Sequence, residues 1–142
     1  MSDAPTFPVR IEFPLHWGEM DALGHVNNTR YFAWFESARI RTFERIGVLA
    51  DKPRSIGPIL ATTRCDFREA IRYPATVSVG CRVSKIGRTS MHMDYEVRVA
   101  GSERVFATGS SVIVLIDYAT GEKVPVPPEI RAKIAALGAE EK

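Results

Sequence analysis

Little in this chain of 142 residues points to metal, redox or nucleotide chemistry. It has only two cysteines, Cys65 and Cys81, and three histidines. There is no CxxC spacing and no histidine pair set for a metal, so both cysteines read as buried free thiols in a reducing compartment. Charge is close to balanced, with 19 Lys and Arg against 17 Asp and Glu and a formal net charge of +2. A nucleic-acid binder would show a basic cluster on one face, which is not seen here. The mild excess suits only a modest basic patch for an anionic small molecule. No apolar run approaches the ~20 residues of a membrane span. The opening MSDAPTFPVR lacks the charged segment and apolar run of a signal peptide, so a cytoplasmic protein is expected. A G-x-S-x-G elbow and a G-x-x-x-x-G-K loop are both absent, which sets aside a serine nucleophile and nucleotide hydrolysis.

What is present is a well-patterned globular chain, 45% apolar and 25% charged, long enough for one domain over residues 1–142 with a real core. From Phe7 to Trp17 the odd positions Phe7, Val9, Ile11, Phe13, Leu15 and Trp17 are apolar. That period of two predicts a strand with one buried face. From Asn28 the period changes: Tyr31, Phe32, Phe35, Ala38, Ile40, Phe43 and Ile46 recur at spacings of three and four, and Gly47 supplies a stop. This predicts a helix about 28 Å long, rich enough in aromatics to be wrapped by a sheet. After a loop with Pro53, Gly57 and Pro58, strands are expected in ILATTRCDFREA, ATVSVGCRVSKI, SMHMDYEVRVA and ERVFATGSSVIVLID, the last buried on both faces. KIGRTS is expected to turn between two of them, and PPEIRAKIAALG to form a closing helix. Segregation of one helix from a run of strands predicts an α+β domain with an antiparallel sheet curling around that helix.

Between the first strand and the long helix lies MDALGHVNN, dense in groups that donate, accept or titrate. Asn27 suits an N-cap, since its side-chain oxygen can accept from a first-turn amide. The helix start then presents unpaired donors and roughly half a positive charge, a place where an oxyanion is stabilised. Gly24 lets the chain fold back sharply, which brings Asp21 toward those donors. A carboxylate beside an oxyanion site can attack an acyl carbonyl or activate water. The plain alternative is a turn or capping role for Asp21. His25 reads as a base or a substrate donor, but a lone histidine in a tight turn is more often a brace for the loop. Glu36 stands about 12 Å along the helix from Asn28 and is expected in an ion pair with Arg39 or a strand arginine.

The stretch WGEMDALGHVNNTRYFAWFESAR resembles the signature of hotdog-fold thioesterases of the 4-hydroxybenzoyl-CoA thioesterase type. The matching residues are Asp21-Ala22, Gly24 to Asn28, Tyr31 and Phe35-Glu36-x-Ala38-Arg39. IGPILA and VSKIGRTSMHMDYEV resemble the family's second strand and later hairpin. The resemblance implies an acyl-CoA thioesterase without metal or bound cofactor, in which a curved antiparallel sheet wraps one long central helix. It puts the catalytic carboxylate on Asp21 and the carbonyl-polarising backbone amide on Asn28. It makes His25, Asn27, Pro58, Lys85, Arg88 and Ser90 substrate-binding residues, the last three as ligands for coenzyme A around the Gly87 turn. HVNN departs from the benzoyl-specific members and points to a fatty or general acyl-CoA. Sheet-to-sheet homodimers, or homotetramers, are implied, with Asp21 and the coenzyme A ligands drawn from different subunits. The alternatives are an acyl-carrier-protein thioesterase, a non-catalytic acyl-CoA-binding protein, and a hydratase on the same fold.

Overall fold

A computed structural model describes residues 6–48 and 55–138; Pro53 lies outside them. Its elements are β1 (Val9–Pro14), a 3-10 turn (Trp17–Glu19), α1 (Asn28–Ile46), β2 (Ile56–Phe67), β3 (Thr76–Ile86), β4 (Ser90–Val99), β5 (Ala107–Asp117) and α2 (Pro128–Ala136). The strands form one antiparallel sheet in the order β1-β3-β4-β5-β2, with α1 lying against it. This is the α+β hotdog arrangement, a curved sheet around one long helix.

The bounds of α1 follow from its ends. Asn27 keeps an extended backbone and its side chain accepts from Thr29 N, while Gly47 closes the helix at φ 83° with its N–H on the Phe43 carbonyl. Tyr31, Trp34, Phe35, Ala38, Arg39, Thr42, Phe43 and Ile46 form the buried face, at the three-and-four spacing of an amphipathic helix. Phe35 is fully buried, stacked on Tyr95 of β4 with ring centroids 4.4 Å apart. Arg39, buried beside it, donates to the Tyr95 hydroxyl at 3.0 Å.

Several expectations need correction. The first strand ends at Pro14, and Leu15 N instead bonds the Ala75 carbonyl, so the chain leaves the sheet into the 3-10 turn. Trp17 is accordingly 73% exposed rather than buried. On α1, Phe32 and Ile40 face outward, so the sheet does not wrap the whole helix. Glu36 is exposed and forms no ion pair among the described residues. Strand β5 buries Ser111, Ile113 and Leu115 on one face, while Val112, Val114 and Ile116 on the other are only half-buried.

Glu96 is buried between Arg10 of β1 and Arg98 of its own strand and accepts from both. Burial by itself raises its carboxyl, but the hydrogen bonds and charges of Arg98 and Arg10 outweigh that and hold it below the usual range. A carboxyl lowered by folding stabilises the native state above its unfolded value, and that contribution is lost as pH falls through the folded value. Glu96→Gln is therefore expected to cost about 1 kcal/mol at pH 7. In urea titrations the gap to wild type should close in acid, below the ordinary carboxylate range. A gap unchanged down to acid denaturation would mean that charge is not what Glu96 contributes.

Candidate active site

The loop before α1 is organised by the Asp21 carboxylate. Its Oδ1 accepts from Leu23 N at 2.8 Å and His25 N at 3.2 Å, and Asp21 N donates to the His25 carbonyl at 2.7 Å. Gly24 turns the chain at φ 79°, a left-handed conformation that disfavours a side chain. A bridge between Met20 and Val26 closes the loop, and Val26 N and Asn27 N then bond the carbonyls of Ile71 and Glu19. Asp21 thus braces its own turn rather than the helix end, which Asn27 caps through bonds from Thr29 N at 3.0 Å and Thr29 Oγ1 at 2.8 Å.

With the cap occupied by Thr29, the Asn28 amide donates to no other described residue. Asn28 itself lines a cleft of about 440 Å³ that Asp21, His25, Val26, Asn27, Asn28 and Tyr31 share with Phe67, Arg68, Glu69 and Ala70. Four expected site residues, Asp21, His25, Asn27 and Asn28, therefore converge. The turn contacts of His25 come from its backbone, and its imidazole makes no hydrogen bond among the described residues. The arrangement puts Asp21, whose carboxylate is fixed by its turn, and Asn28, which opens the helix with an unengaged amide, on one cleft.

Asn27→Ala removes the cap and is expected to destabilise the protein by about 1 kcal/mol, read as a lower thermal midpoint. Asn27→Ser, which still caps, should recover most of that loss.

The other four expected residues stand elsewhere within the protomer. Lys85, near the end of β3, and Arg88, on the β3–β4 turn, are exposed, and Gly87 N bonds the Ser90 carbonyl to close the turn. Ser90 pairs with Val114 and Pro58 with the adjacent Leu115, so all four share one end of the sheet. Pro58 also accepts a bond from the Tyr118 hydroxyl. The cleft uses Phe67, at the opposite end of β2, about 30 Å from Pro58 at 3.3 Å per residue.

Sequence reasoning missed two kinds of participant. Phe67, Arg68, Glu69 and Ala70 follow β2 and reach the cleft only through tertiary folding, so no local pattern marks them. Glu19 fixes the loop, accepting from His16 N at 2.9 Å and Trp34 Nε1 at 3.2 Å. Its position three residues after His16 is a local capping signal that was available.

Known proteins share this fold. A thioesterase from Thermus thermophilus, solved with coenzyme A and Zn, is 33% identical; the match covers 92% of this chain and 94% of that one, with a TM-score of 0.80. A thioesterase-superfamily protein from Jannaschia sp. CCS1 is 27% identical over 94% of this chain and 85% of its own, with a TM-score of 0.86. The Bacillus subtilis protein YsmA, itself uncharacterized, is 24% identical over 110 residues, 78% of this chain and 74% of YsmA. The family model of the thioesterase-like superfamily matches residues 15–134. Matched by this family model over most of its length, the chain belongs to the thioesterase-like superfamily.

Proposed function

We propose that the protein hydrolyses acyl-CoA thioesters of the fatty or general acyl class to a free acid and coenzyme A. The observation that carries this is the shared cleft of the Asp21 carboxylate and the Asn28 amide, which has no partner among the described residues. The amide, backed by the positive end of α1, polarises the thioester carbonyl and holds the oxygen as it becomes negative. Asp21 attacks the carbonyl to give a mixed anhydride that water then opens, or it takes a proton from water that attacks directly; in either route the thiolate of coenzyme A leaves and takes up a proton. Superfamily membership supports thioester chemistry, and the coenzyme A found on the Thermus relative supports that carrier.

A homodimer supplies what one protomer lacks. β2 pairs only with β5 among the described residues, and its other edge is free along a strand of 12 residues, with Ile59, Leu60 and Phe67 exposed. Such an edge calls for a cover. Antiparallel pairing of β2 with its own copy about a twofold axis brings the Pro58 end of one protomer beside the Phe67 end of the other. Lys85, Arg88 and Ser90 of one protomer then approach the cleft of its partner, two cations and a hydroxyl suited to the phosphates of coenzyme A.

Release of free thiol from acetyl- to palmitoyl-CoA and from benzoyl-CoA tests the activity. Hydrolysis of straight-chain substrates over benzoyl-CoA is expected. No hydrolysis of any of them would overturn the reading in favour of a carrier-protein substrate or a binding role. Mixing Asp21→Asn with Arg88→Ala tests the shared site. Heterodimers contain one fully native site only if Asp21 and Arg88 come from different protomers, so a mixture refolded together should regain about a quarter of wild-type activity by random pairing. No recovery would put both residues in one protomer's site.

A further inference from the structure

Tyr31 lies on the buried face of α1, one turn into the helix, and is 3% exposed. Its ring packs against Trp34 at 4.8 Å and edge-on against Phe67 at 4.9 Å between centroids. A phenylalanine would make both contacts. The hydroxyl is the unexplained part. It makes no hydrogen bond with any described residue, yet it is not enclosed. Among the described side chains only Arg82 Nε is both sealed from solvent and unpartnered. Tyr31 lines the cleft of Asp21 and Asn28, so its hydroxyl reaches that cleft. A hydroxyl open to the cleft and without a protein partner is free to donate to a ligand oxygen.

Its position says which part of a substrate it meets. Residues three and four apart share one helix face, and helical side chains lean toward the N-terminus. Tyr31 follows Asn28 by three and Asn27 by four, so its hydroxyl is carried back toward the amide that opens the helix. Burial, reinforced by Cys65, pushes the phenol up to about 12, which keeps it an O–H donor at neutral pH. The thioester carbonyl already has the Asn28 amide as its partner. Slightly further along the acyl chain, where Tyr31 stands with Val26 and Phe67, the hydroxyl is a donor that no described residue engages, although Arg68 and Glu69 also line the cleft.

Resting on the thioesterase reading above, we propose that the Tyr31 hydroxyl is a specificity-determining group that hydrogen-bonds an oxygen on the acyl chain near the thioester. The favoured substrates are then acyl-CoAs with a hydroxyl or oxo group at about the third carbon, over plain saturated chains of equal length.

The test compares kcat/KM of wild type and Tyr31→Phe on matched pairs such as butyryl-CoA and 3-hydroxybutyryl-CoA. Wild type should favour the oxygenated member by about tenfold, and Tyr31→Phe should lose that preference by slowing the oxygenated member alone. Equal activity of wild type on both members would overturn the proposal. So would an equal fall in kcat on both in the variant, which would place the hydroxyl at the reacting atoms. Calorimetry with the corresponding non-hydrolysable thioethers separates this proposal from the activity it rests on. Tighter binding of the hydroxylated thioether that vanishes in Tyr31→Phe would uphold it even if no thioester is cleaved. Equal binding of the two thioethers would overturn it.

Discussion

Asp21→Asn is expected to fold, to keep the wild-type oligomeric state and to hydrolyse thioesters at least a hundredfold more slowly, a loss of about 2.7 kcal/mol of transition-state stabilisation. The choice of asparagine follows from the loop. The amides of Leu23 and His25 both donate to Asp21 Oδ1, and an asparagine oxygen accepts the same two bonds. What disappears is the negative charge, needed whether the group attacks the carbonyl or activates water. Asp21→Ala makes the contrast. It discards the two bonds as well, so it should lose stability in addition to activity. A rate for Asp21→Asn within a few-fold of wild type, in a folded protein, would leave Asp21 as a turn brace and no more.

That contrast also marks how far the sequence could be read. Asp21 was legible both as a catalytic carboxylate and as a turn residue, and the structure shows that it braces the turn while standing in the cleft. The helix was legible to the residue, because Asn27 and Gly47 are local signals that act within one turn of the chain. The end of the first strand was not. Alternation runs on through Trp17, but Leu15 finds its partner on Ala75, a contact made only in the folded protein. The burial of Glu96 was not legible for a related reason. It alternates correctly with its buried neighbours, yet Arg10 and Arg98 close over it from the polar face. Periodicity tells which face a residue is on and not what covers that face. The far wall of the cleft was hidden in the same way, since Phe67 and Tyr31 meet across the fold. Pro58, Lys85, Arg88 and Ser90 gather at one end of the sheet while Asp21 and Asn28 stand at the other.

Gly109→Ala is expected to destabilise the protein by about 3 kcal/mol, the upper end of what overpacking costs. The usual expectation has the opposite sign, because alanine restricts the unfolded chain and commonly stabilises a site whose backbone it can adopt. Here the seat is taken. Gly109 pairs with Tyr95 on one side and Cys65 on the other. A Cβ added to it would lie 2.3 Å from Cε2 of Phe35, 2.6 Å from Cζ and 2.8 Å from the Arg64 carbonyl oxygen. Neither neighbour can yield easily. The carbonyl is part of the β2 backbone, and the Phe35 ring is fully buried and stacked on Tyr95, which Arg39 holds in place. To admit the methyl group, α1 must lift from the sheet. Urea unfolding should show the loss, and a thermal midpoint should fall by about 6–12 °C for a chain of this size. Phe35→Leu opens room at the same point, so the double variant should lose clearly less than the two single losses added together. The same displacement reaches the chemistry, because α1 carries the Asn28 amide and Tyr31 on its first turn. Molecules of Gly109→Ala that remain folded should therefore show a lowered kcat as well, as small misplacements of reacting groups do. A neutral or stabilising Gly109→Ala would mean that Phe35 does not rest on this glycine, and that the helix is seated on the sheet at another point.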